Sequence, residues 1–354
     1  MPLIGRIDLI TSLNGYPGAI LDACPDRWGI KVINRLQGEQ KYPSGYLLLN
    51  DPGRSGCLAF SKSAIIPPEE LLGREFSLGE LLRASEAVEN NQPVDPELLK
   101  ALHPGAGGAR PKCNIVDDEA VWIAKFTSTE DSPLISIPRL EHASMTLARA
   151  CGINAAETKL KVVDGKDVCF VRRFDRVVEN GIVTRLGYLS ARTVFYDDPG
   201  FERFKSGSYP RLARWLAKFG TNPEDPRELF KRMVFNCAIR NTDDHELNHG
   251  LVYDPLKGYV LSKAFDLVPQ LKPHGIYQHA LIIGDSALGT LENIVSAHDS
   301  FGLTRQIAVD LVLAITTSVR EQWVGIFYEC GFGEEEIRRV ERYFQAIPLT
   351  EEKP

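Results

Sequence analysis

The residues best suited to chemistry crowd into one stretch, Asn241-Thr242-Asp243-Asp244-His245-Glu246-Leu247-Asn248-His249-Gly250. Two chemistries compete for it. His245-Glu246-Leu247-Asn248-His249 satisfies H-E-x-x-H, in which two histidines one helical turn apart hold zinc and the glutamate acts as general base, the arrangement of a metallopeptidase. That use needs a continuous helix. Asn241 to Asp244 are poor helix formers, and Gly250 with a strand-like run follows at once. Val252 also occupies the position where the glycine of a metzincin Gly-x-x-His continuation would stand. Without zinc, His249 reads as a polar loop residue. The second chemistry takes Asp243 and Asn248, five residues apart, together with Asp266 of the Phe265-Asp266 pair. Phosphoryl transfer requires a carboxylate beside the acceptor hydroxyl, plus an amide oxygen and a second carboxylate to hold magnesium. In this reading Asp243 is the base or orienter, and Asn248 and Asp266 are the metal ligands.

The spacing D-x-x-x-x-N, followed by an Asp beside a Phe, resembles the catalytic-loop pattern of protein kinases. Such an enzyme also needs a strand lysine that grips phosphates, a helix glutamate that holds the lysine, and a glycine-containing loop upstream. Lys125 is a lone charge in the apolar run Val121 to Phe126, Glu141 follows it on an expected helix, and Gly105-Ala106-Gly107-Gly108-Ala109-Arg110-Pro111-Lys112 precedes both. Walker A is excluded, because no Gly-Lys-Ser/Thr follows those glycines.

The elements that would position these residues are legible in outline. Cys113 to Val116 and Val121 to Phe126 read as a hairpin, and a helix from Pro138 ends at Gly152, which stands where a C′ glycine would stop it. Asp164-Gly165 and Asn180-Gly181 are turn pairs of the two-residue hairpin type, and predict strands over 157–163, 166–174 and 182–189. Helical periods dominate beyond Ser208, over 211–219, 227–239, 304–328 and 334–344, with short strands near 251–253 and 259–261. Residues 1–100 read as an irregular α+β opening segment. The whole predicts an α+β, bilobal, protein-kinase-like chain. Its small β-rich N-terminal lobe (1–175) would carry the glycine loop and gripping strands, and its larger helical C-terminal lobe (176–354) the catalytic loop and metal site.

Composition excludes other classes. The 354 residues are 44% hydrophobic and 25% charged, and no apolar run approaches the ~18 residues of a membrane span. A cytoplasmic location without membrane contact is expected. Lys and Arg number 41 against 47 Asp and Glu, a net charge of −6 with no basic block, so direct nucleic-acid binding is not expected. The seven cysteines are scattered without C-x-x-C spacing, and read as small buried hydrophobes in a reducing compartment.

Taken together, Gly107-Gly108-Ala109-Arg110-Pro111-Lys112, Ala124-Lys125-Phe126, Arg173-Phe174-Asp175-Arg176, the 241–248 segment and Phe265-Asp266 resemble the HipA family of bacterial kinase toxins. Cys24-Pro25-Asp26-Arg27-Trp28-Gly29 resembles a segment ahead of that family's ATP loop. The resemblance implies an ATP- and Mg2+-dependent serine/threonine kinase. Its protein substrate would be translation-related, such as an aminoacyl-tRNA synthetase, and its partner an antitoxin or a small separate N-domain-like protein. It further implies that Gly107, Gly108, Ala109, Lys112, Lys125 and Glu141 serve the nucleotide, that His245 sits near the phosphates, and that backbone groups around Arg172 and Phe174 take the adenine. For Arg173, Asp175 and Arg176, a salt-bridged connection between lobes fits equally well.

Two departures from the family pattern stand out. Longer members carry an extra N-terminal β-domain before the Pro-Asp-Arg-Trp-Gly segment, which here begins near residue 24, so the chain reads as the short form. Family members also commonly autophosphorylate a serine in the glycine loop, whereas Leu102 to Lys112 contains no Ser or Thr. Autoinactivation at that loop is therefore not expected, and serine placed at Gly105 would be expected to restore it. The rival from another class is a nucleotide-binding partner protein that transfers nothing. Its mark would be loss of Asp243 or Asp266, and both are present.

Overall fold

The computed structural model describes residues 16–49, 53–63, 76–102, 105, 107–117, 119–196, 207–271, 278–344 and 347. The chain divides into two compact units, one built from Leu13–His142 with Thr158–Tyr188, the other from Ala143–Glu157 with Leu189–Pro354.

The first unit opens with helices α1 (Gly18–Leu21), α2 (Arg27–Gln37), α3 (Pro43–Leu49), α4 (Leu78–Glu89) and α5 (Pro96–Ala101). No strand occurs among its described residues before 112, so the expected α+β mixture is helical instead. Local chemistry explains α4: Ser77 Oγ accepts from Glu80 N while Glu80 Oε2 accepts from Ser77 N, a reciprocal capping box. Leu81, Leu82, Ala84 and Val88 then recur at helical spacing and are buried.

Strands β1 (Lys112–Val116), β2 (Val121–Lys125), β3 (Thr158–Val163) and β4 (Lys166–Arg172) form an antiparallel sheet in the order β1-β2-β4-β3. The connection from β2 to β3 runs through helix α6 (Ile137–Ala150). Trp122, Ala124, Val168 and Phe170 join Trp28, Val32, Leu82 and Val88 in one core, so α2 and α4 cover one face of the sheet. Side chains alternate along a strand, which puts Lys125 on the opposite face from Trp122 and Ala124. Asp164 (φ 49°) and Gly165 (φ 76°) close the β3–β4 hairpin in the left-handed conformation that the strand twist favours. The Asn180-Gly181 turn does not join β4 to the next run. It links an additional strand, β5 (Arg176–Glu179), to β6 (Ile182–Arg185), and β7 (Gly187–Ser190) follows separately.

The second unit is mainly helical: α7 (Ala191–Tyr196), α8 (Tyr209–Phe219), α9 (Asp225–Ala238), α10 (Leu291–Ser296), α11 (Arg305–Glu329) and α12 (Glu334–Val340). Ser208, Thr290 and Thr304 each cap the helix they precede by accepting a backbone N–H three residues on. The hairpin β8 (Gly250–Asp254) and β9 (Gly258–Leu261) pairs with the end of β7 in a three-stranded sheet, β7-β8-β9. In its core Phe230 meets Phe301 edge to face, and Trp323, Phe327 and Phe344 form a second ring cluster with Trp323 stacked on Phe344 at 4.8 Å. The helix expected over 334–344 stops at Val340 and continues as one 3-10 turn. All seven cysteines are free. Cys113, Cys169 and Cys237 are buried as expected, and burial pushes the Cys113 thiol up to about 12, whereas Cys24, Cys57, Cys151 and Cys330 are only half-buried.

Candidate active site

In the first unit β2 ends on Lys125, and the first turns of α6 bring Glu141 to it. Nζ and Oε1 are 2.5 Å apart, with the glutamate side chain 4% exposed and the lysine 14%. A carboxylate buried to that depth needs a cation, and Lys125 is thereby held in one place.

The glycine loop is fastened from below by the start of α2. Trp28 Nε1 donates to both Leu102 O (3.2 Å) and Lys112 O (2.9 Å), and Trp28 N donates to Gly108 O (3.3 Å). Asp26 Oδ2 accepts from Gly108 N at 2.7 Å. Lys112 is buried at the start of β1 and its Nζ donates to Gly107 O at 2.5 Å, so the lysine tethers the loop. Gly107 and Ala109 are exposed, while Ala106 lies outside the described residues. A Cβ on Gly108 would fall 2.1 Å from Lys112 Nζ, and one on Gly105 (φ 55°) would fall 2.2 Å from Arg54 N. The backbone around Gly105 thus leaves no room for a side chain, and one at Gly108 would displace the Lys112 ammonium.

The strand end after β4 splits its residues by role. Arg172 is exposed and reaches Glu119 O, and Phe174 is half-buried with its ring 6.3 Å from that of Tyr188. Arg173, Asp175 and Arg176 are buried together. Asp175 Oδ2 accepts from Arg173 Nη2 and Arg176 Nη1, both at 2.8 Å, and from Gly56 N, while the two guanidinium groups also donate to the carbonyls of Gly53, Arg54 and Gly56. Burial alone would raise the Asp175 pKa, but the two arginines outweigh it and hold the carboxyl well below the usual range. Burial and the like charge of Arg173 lower Arg176 to about 9. The cluster stitches the 53–56 segment to the sheet within its own unit, which replaces the expected lobe-to-lobe salt bridge.

In the second unit α9 delivers the 241–249 segment, which is a succession of turns and not a helix. His245 and His249 therefore share no helix face, and the zinc reading fails on geometry. His245 is half-buried, its Nδ1 accepting from Leu247 N at 3.3 Å. His249 is no polar loop residue but a buried one, its Nε2 2.8 Å from Asp244 Oδ2. Asp243 is exposed, and among the described residues its carboxylate has no hydrogen-bond partner. Asn248 N donates to His245 O (2.9 Å), and its Nδ2 reaches Asp243 O (3.4 Å).

Asp266 follows the β8–β9 hairpin and sits at φ 60°, a conformation that costs an L-residue energy and collects at functional sites. Its approach is fixed by α9, where Arg232 Nη2 donates to Ser262 O (2.7 Å) and Asp225 Oδ2 accepts from Leu261 N (2.6 Å). Burial and Glu228's opposing pull act on Arg232, with burial the larger, so its pKa is lowered. Asn241 Nδ2 bridges Asn236 Oδ1 (3.0 Å) and Asp266 O (3.4 Å), bringing the 241–249 loop to Asp266.

Beneath the loop lies a set that the sequence reading missed. Tyr209 Oη donates to Asp244 Oδ2, and Asn236 Nδ2 donates to Tyr209 Oη at 3.0 Å. The Tyr209 and His249 rings meet edge to face at 5.2 Å. Burial raises the Asp244 carboxyl, but His249 and the hydrogen bonds outweigh it and leave the pKa lowered. Burial and Asp244's charge drive the Tyr209 phenol well up. The available signal was the doubled Asp243-Asp244, one carboxylate more than the chemistry uses.

The chain is similar to known proteins in three ways. The model of the HipA-like C-terminal domain family matches residues 105–323, more than half of the chain. The protein Y4dM of Sinorhizobium fredii, which carries a kinase name, is 30% identical over 159 residues, 42% of this chain but only 37% of Y4dM. The HipA of Shewanella oneidensis MR-1, solved with HipB and operator DNA, matches 92% of this chain and 83% of its own at TM-score 0.68 and 16% identity, a likeness of fold. The Helicobacter pylori proinflammatory kinase CtkA matches 67% of this chain and 88% of its own at TM-score 0.49 and 15% identity. Among the described residues no helix is long and apolar enough to cross a membrane. With the family model spanning the glycine loop, the Lys125–Glu141 pair, the 241–249 segment and Asp266, the chain belongs to the HipA-like C-terminal domain family.

Proposed function

We propose that this chain is a serine/threonine protein kinase that uses ATP and Mg2+. The observation that carries the reading is the buried Lys125–Glu141 pair at 2.5 Å, because a phosphate-gripping lysine must be held ready by a carboxylate. The donor chemistry fits the group implied: Asn248 and Asp266 offer the oxygens that Mg2+ prefers, and Gly107, exposed in the glycine loop, presents its backbone without a Cβ. Mg2+–ATP would supply a transferable phosphoryl group whose charge the metal partly neutralises.

The chain's own residues do the rest. Lys125 holds phosphate oxygens, with Gly107, Gly108 and Ala109 offering backbone and Lys112 steadying the loop, and His245 lies beside the phosphates. Backbone groups around Arg172 and Phe174 take the adenine. Asp243, exposed and unengaged, orients the acceptor hydroxyl and receives its proton. Family membership and the likeness to a HipA solved with HipB support a finer role. The protein acts as a toxin of a toxin–antitoxin pair in the cytoplasm, phosphorylates a translation-related protein such as an aminoacyl-tRNA synthetase, and is held by an antitoxin or a small N-domain-like partner. With a net charge of −6, any DNA contact is expected to come through that partner.

The test is radiolabelled ATP in whole-cell lysate, comparing wild type with Asp243→Ala. A labelled protein that disappears with the variant supports the reading, and equal labelling by both overturns it.

A further inference from the structure

The loop that carries Asp243 and Asn248 is closed by the residue that follows each of them. Asp244 comes after Asp243, His249 comes after Asn248, and His249 Nε2 meets Asp244 Oδ2 at 2.8 Å with the two side chains 3% and 1% exposed. Tyr209, fully buried at the start of α8, donates its hydroxyl to the same oxygen, and Asn236 of α9 donates to that hydroxyl. Ala191 N donates to His249 O and Arg192 N to Glu246 O, so the outer side of the loop is also tied down. Successive side chains on an irregular loop have no fixed alternation, and something must decide which ones turn to solvent. Here the inward pull on 244 and 249 leaves 243 exposed and 248 half-exposed.

We propose that Asp244, His249 and Tyr209 form a positioning clasp. It touches no substrate and acts by fixing the backbone at Asp243 and Asn248. This rests on the phosphoryl-transfer reading of those two residues. Three features argue for it over simple packing. The clasp is polar where a core would ordinarily be apolar, and an unmade bond there leaves a buried charge exposed to a low-dielectric interior. Among the described residues His249 Nδ1 has no hydrogen-bond partner, so the polar contribution of the imidazole, beside its edge contact with Tyr209, is the bond made by Nε2. The network also continues through Asn236 and Asn241 to the carbonyl of Asp266, which puts the third chemical residue under the same constraint.

The experiment compares His249→Ala, His249→Gln and Tyr209→Phe with wild type in phosphoryl transfer to the labelled lysate protein, with ATP binding and thermal unfolding measured alongside. His249→Ala is expected to lose about 10- to 100-fold in kcat, the range typical of residues that orient a catalytic group, while KM for ATP stays within about twofold. Added imidazole should restore part of the rate, and His249→Gln, whose amide can donate to Asp244, should retain most of it. A folded His249→Ala protein with wild-type kcat overturns the proposal. So does a loss that neither imidazole nor glutamine relieves. Should His249→Ala fail to fold, Tyr209→Phe decides: a lowered kcat at unchanged KM supports the clasp, and wild-type turnover overturns it. If wild type itself transfers nothing, the kinase reading falls separately, and amide exchange over 243–248 judges the clasp. Faster exchange there in Tyr209→Phe supports it, and unchanged exchange overturns it.

Discussion

Asp175 and Asp243 are the same residue type in motifs of equal promise, and the molecule treats them in opposite ways. Asp175 is buried, accepts from two arginines and a backbone N–H, and belongs to a closed charge cluster. Asp243 is exposed, with no partner for its carboxylate among the described residues. A buried charge whose two oxygens are both engaged by its own scaffold has little left to offer a ligand, whereas an exposed one on a fixed backbone does. Charge motifs in a sequence thus divide by what surrounds them, and the charges of Arg173, Asp175 and Arg176 fall on the scaffold side.

The comparison breaks first, and by the largest margin, on activity. Asp243→Ala is expected to lower phosphoryl transfer by about 10²- to 10⁴-fold while leaving the unfolding midpoint unchanged, read from labelled product and calorimetry. Asp175→Ala should reverse the pattern. Removing one member of a buried ion cluster costs about 3–5 kcal/mol, which denaturant unfolding would register as a lowered midpoint. An Asp175 variant as stable as wild type would refute its scaffold role.

The same residue gives a pH dependence. Its folded-state pKa lies below the unfolded value, so below about pH 4 the unfolded chain binds the extra proton and wild-type stability falls as pH falls. Asp175→Asn should flatten that acid limb, read from denaturant unfolding across pH.

Smaller effects sharpen the contrast within the glycine loop. Gly105→Ser was the change expected to install a regulatory serine, but φ 55° and a Cβ 2.2 Å from Arg54 N leave no room for it. The variant should lose about 1–3 kcal/mol from strain and gain no self-limiting time course, checked by unfolding and by intact mass after incubation with Mg2+–ATP. Asp26→Asn keeps the side chain's shape but weakens its bond to Gly108 N. Losing charge assistance is worth about 1 kcal/mol, so KM for ATP should change severalfold with kcat unaltered.

Much of this was legible before any coordinates. The hairpins at Asp164-Gly165 and around Val121, the helix ended by Gly152 and the long helices after Ser208 follow from turn chemistry and periodicity that tertiary packing had no reason to override. Lys125 and Glu141 were legible because phosphoryl transfer asks for a strand lysine followed by a helix glutamate, and the two stand in that order. The helices among the described residues before 103 were not, since short helices separated by Pro and Gly carry too few periods to distinguish them from strands. His249 and Tyr209 were missed for a different reason: Tyr209 reaches Asp244 and the His249 ring from a distant helix, and a contact made across the fold leaves no trace in local pattern. The strand inserted at Arg176 escaped because Arg173 and Asp175 turn inward and end β4 early.

The single indole N–H of Trp28 holds Leu102 O and Lys112 O together, and this has an entropic consequence. Bringing together the ends of a flexible loop of that length costs about 2 kcal/mol. With both ends pinned at one donor, that cost is met once, when the chain folds, and not again each time a ligand arrives. The glycine-rich loop between them is fastened again at Gly107 O and Gly108 N, so a ligand arriving there would spend its binding energy on contacts instead of closure.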